Sequence, residues 1–310
     1  MPTRPSARTA ATKPGLPALA DLAIDTPRQR LYGADQLGGK LFAFSLADLQ
    51  LLGTVDLGQA SQPLALALSQ DGAEIAVALN GAGHIALIDP EKLAVTGKLY
   101  PTVSDGPNKP SNVVYASPGF LYSVGNPSSS GIDYVHLFDT ATRIEVGISP
   151  YPDLVRGSSS LALTADGALF IGEREGSPNQ LYRFALDGLV PKQVARGPHG
   201  PVTVPDLAVR ADGSAVYTAG GQVWSGNLKS QLGAFTAKGS KIIYVAATER
   251  LFICQEALIA EVEATGNFNV IAMHGVSATP RVARANAAGT TLYVSTDAGL
   301  DVVPLTPTGR

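Results

Sequence analysis

The chain has 310 residues, 45% of them hydrophobic and 16% charged, a balance that excludes a disordered chain and leaves ample apolar area for a core. Its formal net charge of −3 gives no electrostatic pull toward nucleic acid or an anionic membrane surface. No apolar run approaches the roughly 20 residues that cross a bilayer, and the single cysteine, Cys254, excludes an intrachain disulfide.

From the N-terminus, Met1 to Pro14 carries basic residues but no apolar stretch follows. No signal peptide is therefore expected, and a cytoplasmic location follows unless a signal has been removed. Short apolar strands then recur: Leu22-Ala23-Ile24, Leu64 to Leu68, Val113-Val114-Tyr115, Leu161-Ala162-Leu163, Leu207-Ala208-Val209, Ile242 to Val245 and the weaker Val282 to Ala285. Near-continuous runs of small and branched residues suit strands buried on both faces. A proline stands just before several of them, at Pro17, Pro63, Pro110, Pro205 and Pro280, a position a strand start tolerates and a ladder interior does not.

Each run leads through a tight turn, such as Ser69-Gln70-Asp71-Gly72 or Ala211-Asp212-Gly213, into an aromatic or aliphatic pair and then a polar end. Leu31-Tyr32 leads to Asp35, Ile75-Ala76 to Asn80, Leu121-Tyr122 to Asn126, and Leu169-Phe170 to Glu173. Val216-Tyr217 runs into Gly220-Gly221, Leu251-Phe252 to Glu256, and Leu292-Tyr293 to Asp297. The pairs are spaced 44, 46, 48, 47, 35 and 41 residues apart, the period of propeller blades. A third strand follows, as in Leu41 to Phe44 or Ile85 to Ile88, and then a more polar fourth, as in Val95 to Leu99. The prediction is an all-β, seven-bladed β-propeller of four-stranded blades forming one domain over residues 1–310. The last unit stops after its third strand, Gly299 to Leu305, so residues near Ser6–Thr12 are expected to supply the missing fourth strand and close the ring. Pro14 and Pro17 would end that pairing.

The turns followed by strands like Leu292-Tyr293-Val294-Ser295-Thr296-Asp297 resemble those of the YVTN/lactonase-type seven-bladed propellers, best at 289–297 and 213–217. The resemblance spans the chain as a repeat pattern. Trp-Asp endings and the paired glycines of kelch repeats are absent. The resemblance implies a fold that carries both sugar-lactone hydrolases and non-catalytic binding modules, so it assigns no activity by itself.

In such a fold the loops before the first strand and after the second gather at one mouth of the central channel. That face offers Asp35, Gln36, Asn80, Asn126, Glu173, Arg174, Glu175, Gln180, Glu256 and Asp297, with Lys109, Arg156, His199, Lys241 and Arg281 from the preceding loops. Asp35, Asn80, Asn126, Glu256, Asp297 and Arg281 are the expected ligand-binding residues, because convergent polar groups at a channel mouth form a natural binding site. Asp35, Asn80, Glu173, Glu256 and Asp297 are hard oxygen ligands of the kind Ca²⁺ takes. They come from separate blades without a shared loop motif, and no cofactor is expected. Scattered histidines and one cysteine do not make a zinc motif, and Cys254, in an apolar strand, reads as an inert buried thiol.

Two functions are carried forward. The favoured one is a non-catalytic module that presents its mouth to a protein or carbohydrate partner, or serves in a larger assembly. The alternative is a lactonase-like hydrolase with Glu173 or His199 as base and Arg174, Arg156 or Arg281 stabilising an oxyanion. The Gly-rich stretch Gly33 to Lys40 lacks P-loop spacing, and Gly157-Ser158-Ser159-Ser160 is not a nucleophile elbow.

Overall fold

Second strands built on pairs such as Leu31-Tyr32 and Leu251-Phe252 place bulky side chains on both faces, and that pattern dictates stacked sheets. The computed structural model describes residues 8–9, 11–102, 109–117, 119–125, 132–156, 159–173, 179–198 and 204–305. Among them, seven antiparallel four-stranded sheets form a ring. The inner strands are Asp21–Asp25, Pro63–Leu68, Pro110–Ser117, Ser159–Leu163, Leu207–Val209, Lys241–Val245 and Pro280–Ala285, numbered here as blades 1 to 7. Each packs beside the inner strand of the next blade, and blade 7 returns to blade 1.

The apolar residues segregate into clusters between neighbouring blades. Tyr32, Leu41 and Val55 of blade 1 meet Leu66, Ile75 and Ile88 of blade 2, and Val282, Tyr293 and Leu300 of blade 7 meet Leu19, Leu22 and Phe44 beside blade 1. Removing one such side chain from water stabilises by about 1.5–3 kcal/mol, so the stability is spread around the ring. The second strand is the most buried element of a blade, as in Ile75–Leu79, which is buried throughout. The inner strand, expected to be buried on both faces, borders the channel and is only partly covered, as in Asp21–Asp25.

The tyrosine of the second strand reaches across the seam. Tyr217 donates its hydroxyl to the Ala264 carbonyl of blade 6 at 2.9 Å. Tyr32 does the same, at 3.4 Å, to the Pro90 carbonyl of blade 2. Tyr122 is equally buried, yet among the described residues its hydroxyl has no partner.

An N-terminal strand completes blade 7 as expected, overlapping the expected segment at Ala11 and Thr12 but running on to Pro14. It is Ala11–Pro14 that pairs antiparallel with Gly299–Pro304, setting Ala11 opposite Val302 and Pro14 opposite Gly299. Pro14 is thus inside the pairing, which its missing N–H permits because it ends an outer edge strand. Gly299 adopts a φ of 140°, and a Cβ there would lie 2.4 Å from the Lys13 carbonyl oxygen. Only glycine lets the closing strand come this near. The preceding Arg8–Thr9 pairs parallel with His274 and Gly275, the outer strand of blade 6. The N-terminus therefore ties two blades together; the rest of the expected strand, residues 6, 7 and 10, lies outside the described residues.

Candidate functional site

The inner strands of blades 2, 3 and 7 begin with a β-bulge directly after a proline: Pro63 and Ala65, Pro110 and Asn112, and Pro280 and Val282 bracket an extra residue. A bulge re-aims the side chain it carries. The extra residues Leu64, Ser111 and Arg281 all face a cavity of about 650 Å³ at the end of the channel where the inner strands start. Ala18 and Asp206, which follow Pro17 and Pro205, line it as well, together with Asn112, Ser159, Lys241 and Arg284. The residue after the recurrent proline is thus a mouth residue in five blades. The recurrent proline is the sequence signal that marks this position, beyond the strand start it tolerates.

The mouth has distinct sectors. Blades 1 and 2 contribute Ala18, Leu37 and Leu64, with Leu37 87% exposed. Blades 3 and 4 contribute Ser111, Asn112 and Ser159, and blades 5 to 7 contribute Asp206, Lys241, Arg281 and Arg284. Several of these groups also bind neighbouring blades. Asp21 accepts the Leu66 N–H at 3.0 Å and pairs with Arg284, whose Nε donates to the Leu22 carbonyl at 3.0 Å. Asn112 donates to the Ser159 carbonyl at 3.1 Å, and Asp206 accepts the Ile242 N–H at 3.2 Å. A polar residue at the head of an inner strand thereby fastens the next strand, which fixes the geometry of the mouth.

Among the residues singled out from the sequence, Arg281, Gln36 and Lys241 line the cavity. Asp297 stands beside it, paired with Arg281 at 2.6 Å. Asp35 is buried and accepts the Gly38 N–H at 2.9 Å, closing its own turn. Asn80 donates to the Lys109 carbonyl at 3.0 Å and holds the connection into blade 3. Glu173 is buried behind Ser159, where it accepts the Tyr182 hydroxyl at 2.9 Å. Gln180 bridges Arg196 and the Gly197 carbonyl. Glu256 faces a separate hollow with Lys238, Ser240 and Thr279. Asn126, Arg174, Glu175, His199 and the side chain of Arg156 lie outside the described residues. The described acids are thus dispersed, each with its own environment, and among the described residues no group of three His, Cys, Asp or Glu gathers in a metal-binding arrangement.

Blade 3 holds a buried histidine between two carboxylates. His136 is fully buried with Nδ1 on Glu145 at 2.5 Å and Nε2 on Asp133 at 3.4 Å. Burial alone would lower its pKa, but the two carboxylates outweigh burial and hold it at about 9. Burial works against the Glu145 carboxylate too, yet its bonds to His136 and Thr102 keep it below the usual range. Cys254 is buried, and burial pushes its thiol up to about 12, consistent with an inert side chain.

No family model and no curated protein matches the chain. Solved structures do: 1366 chains match, so the architecture is too widely reused to specify an activity. One of them, Kuenenia stuttgartiensis hydrazine synthase, superposes with a TM-score of 0.72 over 95% of this chain and 97% of its own, at 13% identity. At that identity the likeness concerns the fold alone, and the fold is the seven-bladed β-propeller.

Proposed function

We propose that the protein is a non-catalytic binding scaffold and that the channel mouth is where its ligand, or the tip of a protein or carbohydrate partner, is seated. The observation that carries this reading is the convergence of Ala18, Leu64, Ser111, Asp206 and Arg281, one from each of five blades, on a single cavity of about 650 Å³. That volume lies within the range of small-molecule sites. The polar groups around it are held by bonds between blades, so the mouth is preorganised and little ordering entropy opposes binding. The resemblance to YVTN-type propellers is compatible with this role.

A thermal-shift panel of monosaccharides, sugar lactones and simple carboxylates tests the reading, with Ser111→Trp as a variant whose mouth is blocked. A ligand of the native protein raises its melting temperature by mass action. The expected result is stabilisation by at least one class, abolished in Ser111→Trp. Stabilisation that survives in the blocked variant, or none at all, counts against the mouth as the site. Turnover of a lactone that is lost in Glu173→Gln would replace the scaffold with the lactonase-like hydrolase.

A further inference from the structure

The mouth is electrically lopsided in a way that specifies what it takes. Of the three cations lining it, Arg284 is engaged by Asp21 and by the Leu22 and Ala283 carbonyls. Lys241 is different: it is half-buried, and among the described residues its ammonium has neither an ion pair nor a hydrogen bond. Arg281, on the neighbouring blade, commits Nε to Asp297 and leaves its two terminal nitrogens without a partner among the described residues. Asp206, the acid between them and blade 4, directs one oxygen to the Ile242 N–H. A half-buried cation without a counter-ion favours an anion.

Facing these cations across the blade 7 to blade 1 seam are Ala18, Leu37 and Leu64. Leu37 is an apolar side chain 87% exposed at the rim of the cavity, and covering it with an apolar group of a ligand would contribute to binding. Charge on one side and apolar surface on the other call for an amphipathic ligand. A guanidinium fork with two open donors matches the planar, two-oxygen edge of a carboxylate. The helix N-termini that cradle phosphates elsewhere are not present among the described residues.

Resting on the reading of the mouth as the ligand site, we infer that its ligand is a small amphipathic carboxylate. The acid is held by Lys241 and Arg281, and the apolar part lies against Leu37, Leu64 and Ala18. The probes are butyrate, hexanoate and octanoate, with hexanamide as the neutral counterpart of hexanoate, titrated into the full chain by calorimetry. Affinity should rise along the acid series by up to about fourfold per buried methylene. Lys241→Gln and Arg281→Gln should each weaken hexanoate by about tenfold, the loss of one charge-assisted bond. Because Arg281→Gln also strands Asp297, the double variant Arg281→Gln, Asp297→Asn should keep the loss. Leu64→Ser should flatten the dependence on chain length, weakening octanoate more than butyrate.

The outcomes separate the two readings. Hexanamide binding as tightly as hexanoate, with both blocked by Ser111→Trp, overturns the carboxylate and leaves the mouth as the site. Hexanoate binding undiminished in Ser111→Trp overturns both. Absence of binding by every acid in the series overturns the carboxylate proposal.

Discussion

Replacing Tyr217 by Phe removes a single oxygen from a buried seam between blades 5 and 6. The ring itself stays, still stacked on Tyr244 with centroids 5.7 Å apart, so packing is nearly unchanged. What is lost is the 2.9 Å bond to the Ala264 carbonyl. A buried hydrogen bond contributes about 0.5–1.5 kcal/mol net, and a buried acceptor left unpaired adds to the loss, for about 1–3 kcal/mol in total. Tyr122 occupies the matching place in blade 3, where its hydroxyl is buried and, among the described residues, unpartnered. Burial pushes its pKa up to about 12. The folded state already bears the desolvation of that hydroxyl, so Tyr122→Phe should raise stability by about 1 kcal/mol. Urea unfolding of the two variants, compared at equal m-value, measures the difference in sign. If Tyr122→Phe costs as much as Tyr217→Phe, the hydroxyl has a partner and the seam reading is wrong.

Deleting residues 1–14 removes the pairing of Ala11–Pro14 with Gly299–Pro304 and the Arg8–Thr9 bridge to blade 6. The truncated chain should melt lower and associate through the open edge, seen by scanning calorimetry and size-exclusion chromatography; a monodisperse chain with an unchanged melt would contradict the closure. His136 should titrate near pH 9 in the folded state, followed by NMR of its ring. Its folded pKa is raised above the ordinary value, so its stabilisation is full below pH about 6.5 and lost as pH rises through 9, roughly 2–4 kcal/mol in all. A stability profile flat over that interval would remove the buried ion cluster from the account. Asp21→Ala should cost about 1–3 kcal/mol by stranding the buried Leu66 N–H, and a neutral result in urea unfolding would show that Asp21 does not fasten blades 1 and 2.

The fold was legible because the seams repeat. Every second strand must present bulk to two neighbouring sheets, so pairs such as Leu121-Tyr122 and Leu251-Phe252 return at blade spacing. Closure was legible from the missing fourth strand of the last unit, but its register was not. The sequence of 8–12 has the threonines of a strand, whereas the deciding feature is Gly299, whose bare backbone admits Lys13 and Pro14 and carries the pairing on past Thr12 to Pro14. The candidate site was legible only in part. Polar ends of second strands were expected to face the channel, yet Asp35 turns back on Gly38 and Asn80 bonds the backbone of the next connection. A polar residue after a strand is as well suited to closing a turn as to meeting a ligand, and local sequence does not distinguish the two.

The contrast between seam and mouth separates positions set by packing from positions open to the channel. At a seam, equivalent residues of different blades solve the same packing problem and come out alike. The residues that follow the recurrent prolines stand at equivalent places too, but they are Ala18, Leu64, Ser111, Asp206 and Arg281, five different chemistries. Packing accounts for little of that variety: all five side chains line the cavity, and Asp206 both lines it and bonds the next inner strand. A ring whose backbone repeats while its mouth does not is asymmetric toward anything that enters the channel. The amphipathic carboxylate proposed for the mouth would be held in one orientation, its charged end toward blades 6 and 7 and its apolar end toward blades 1 and 2.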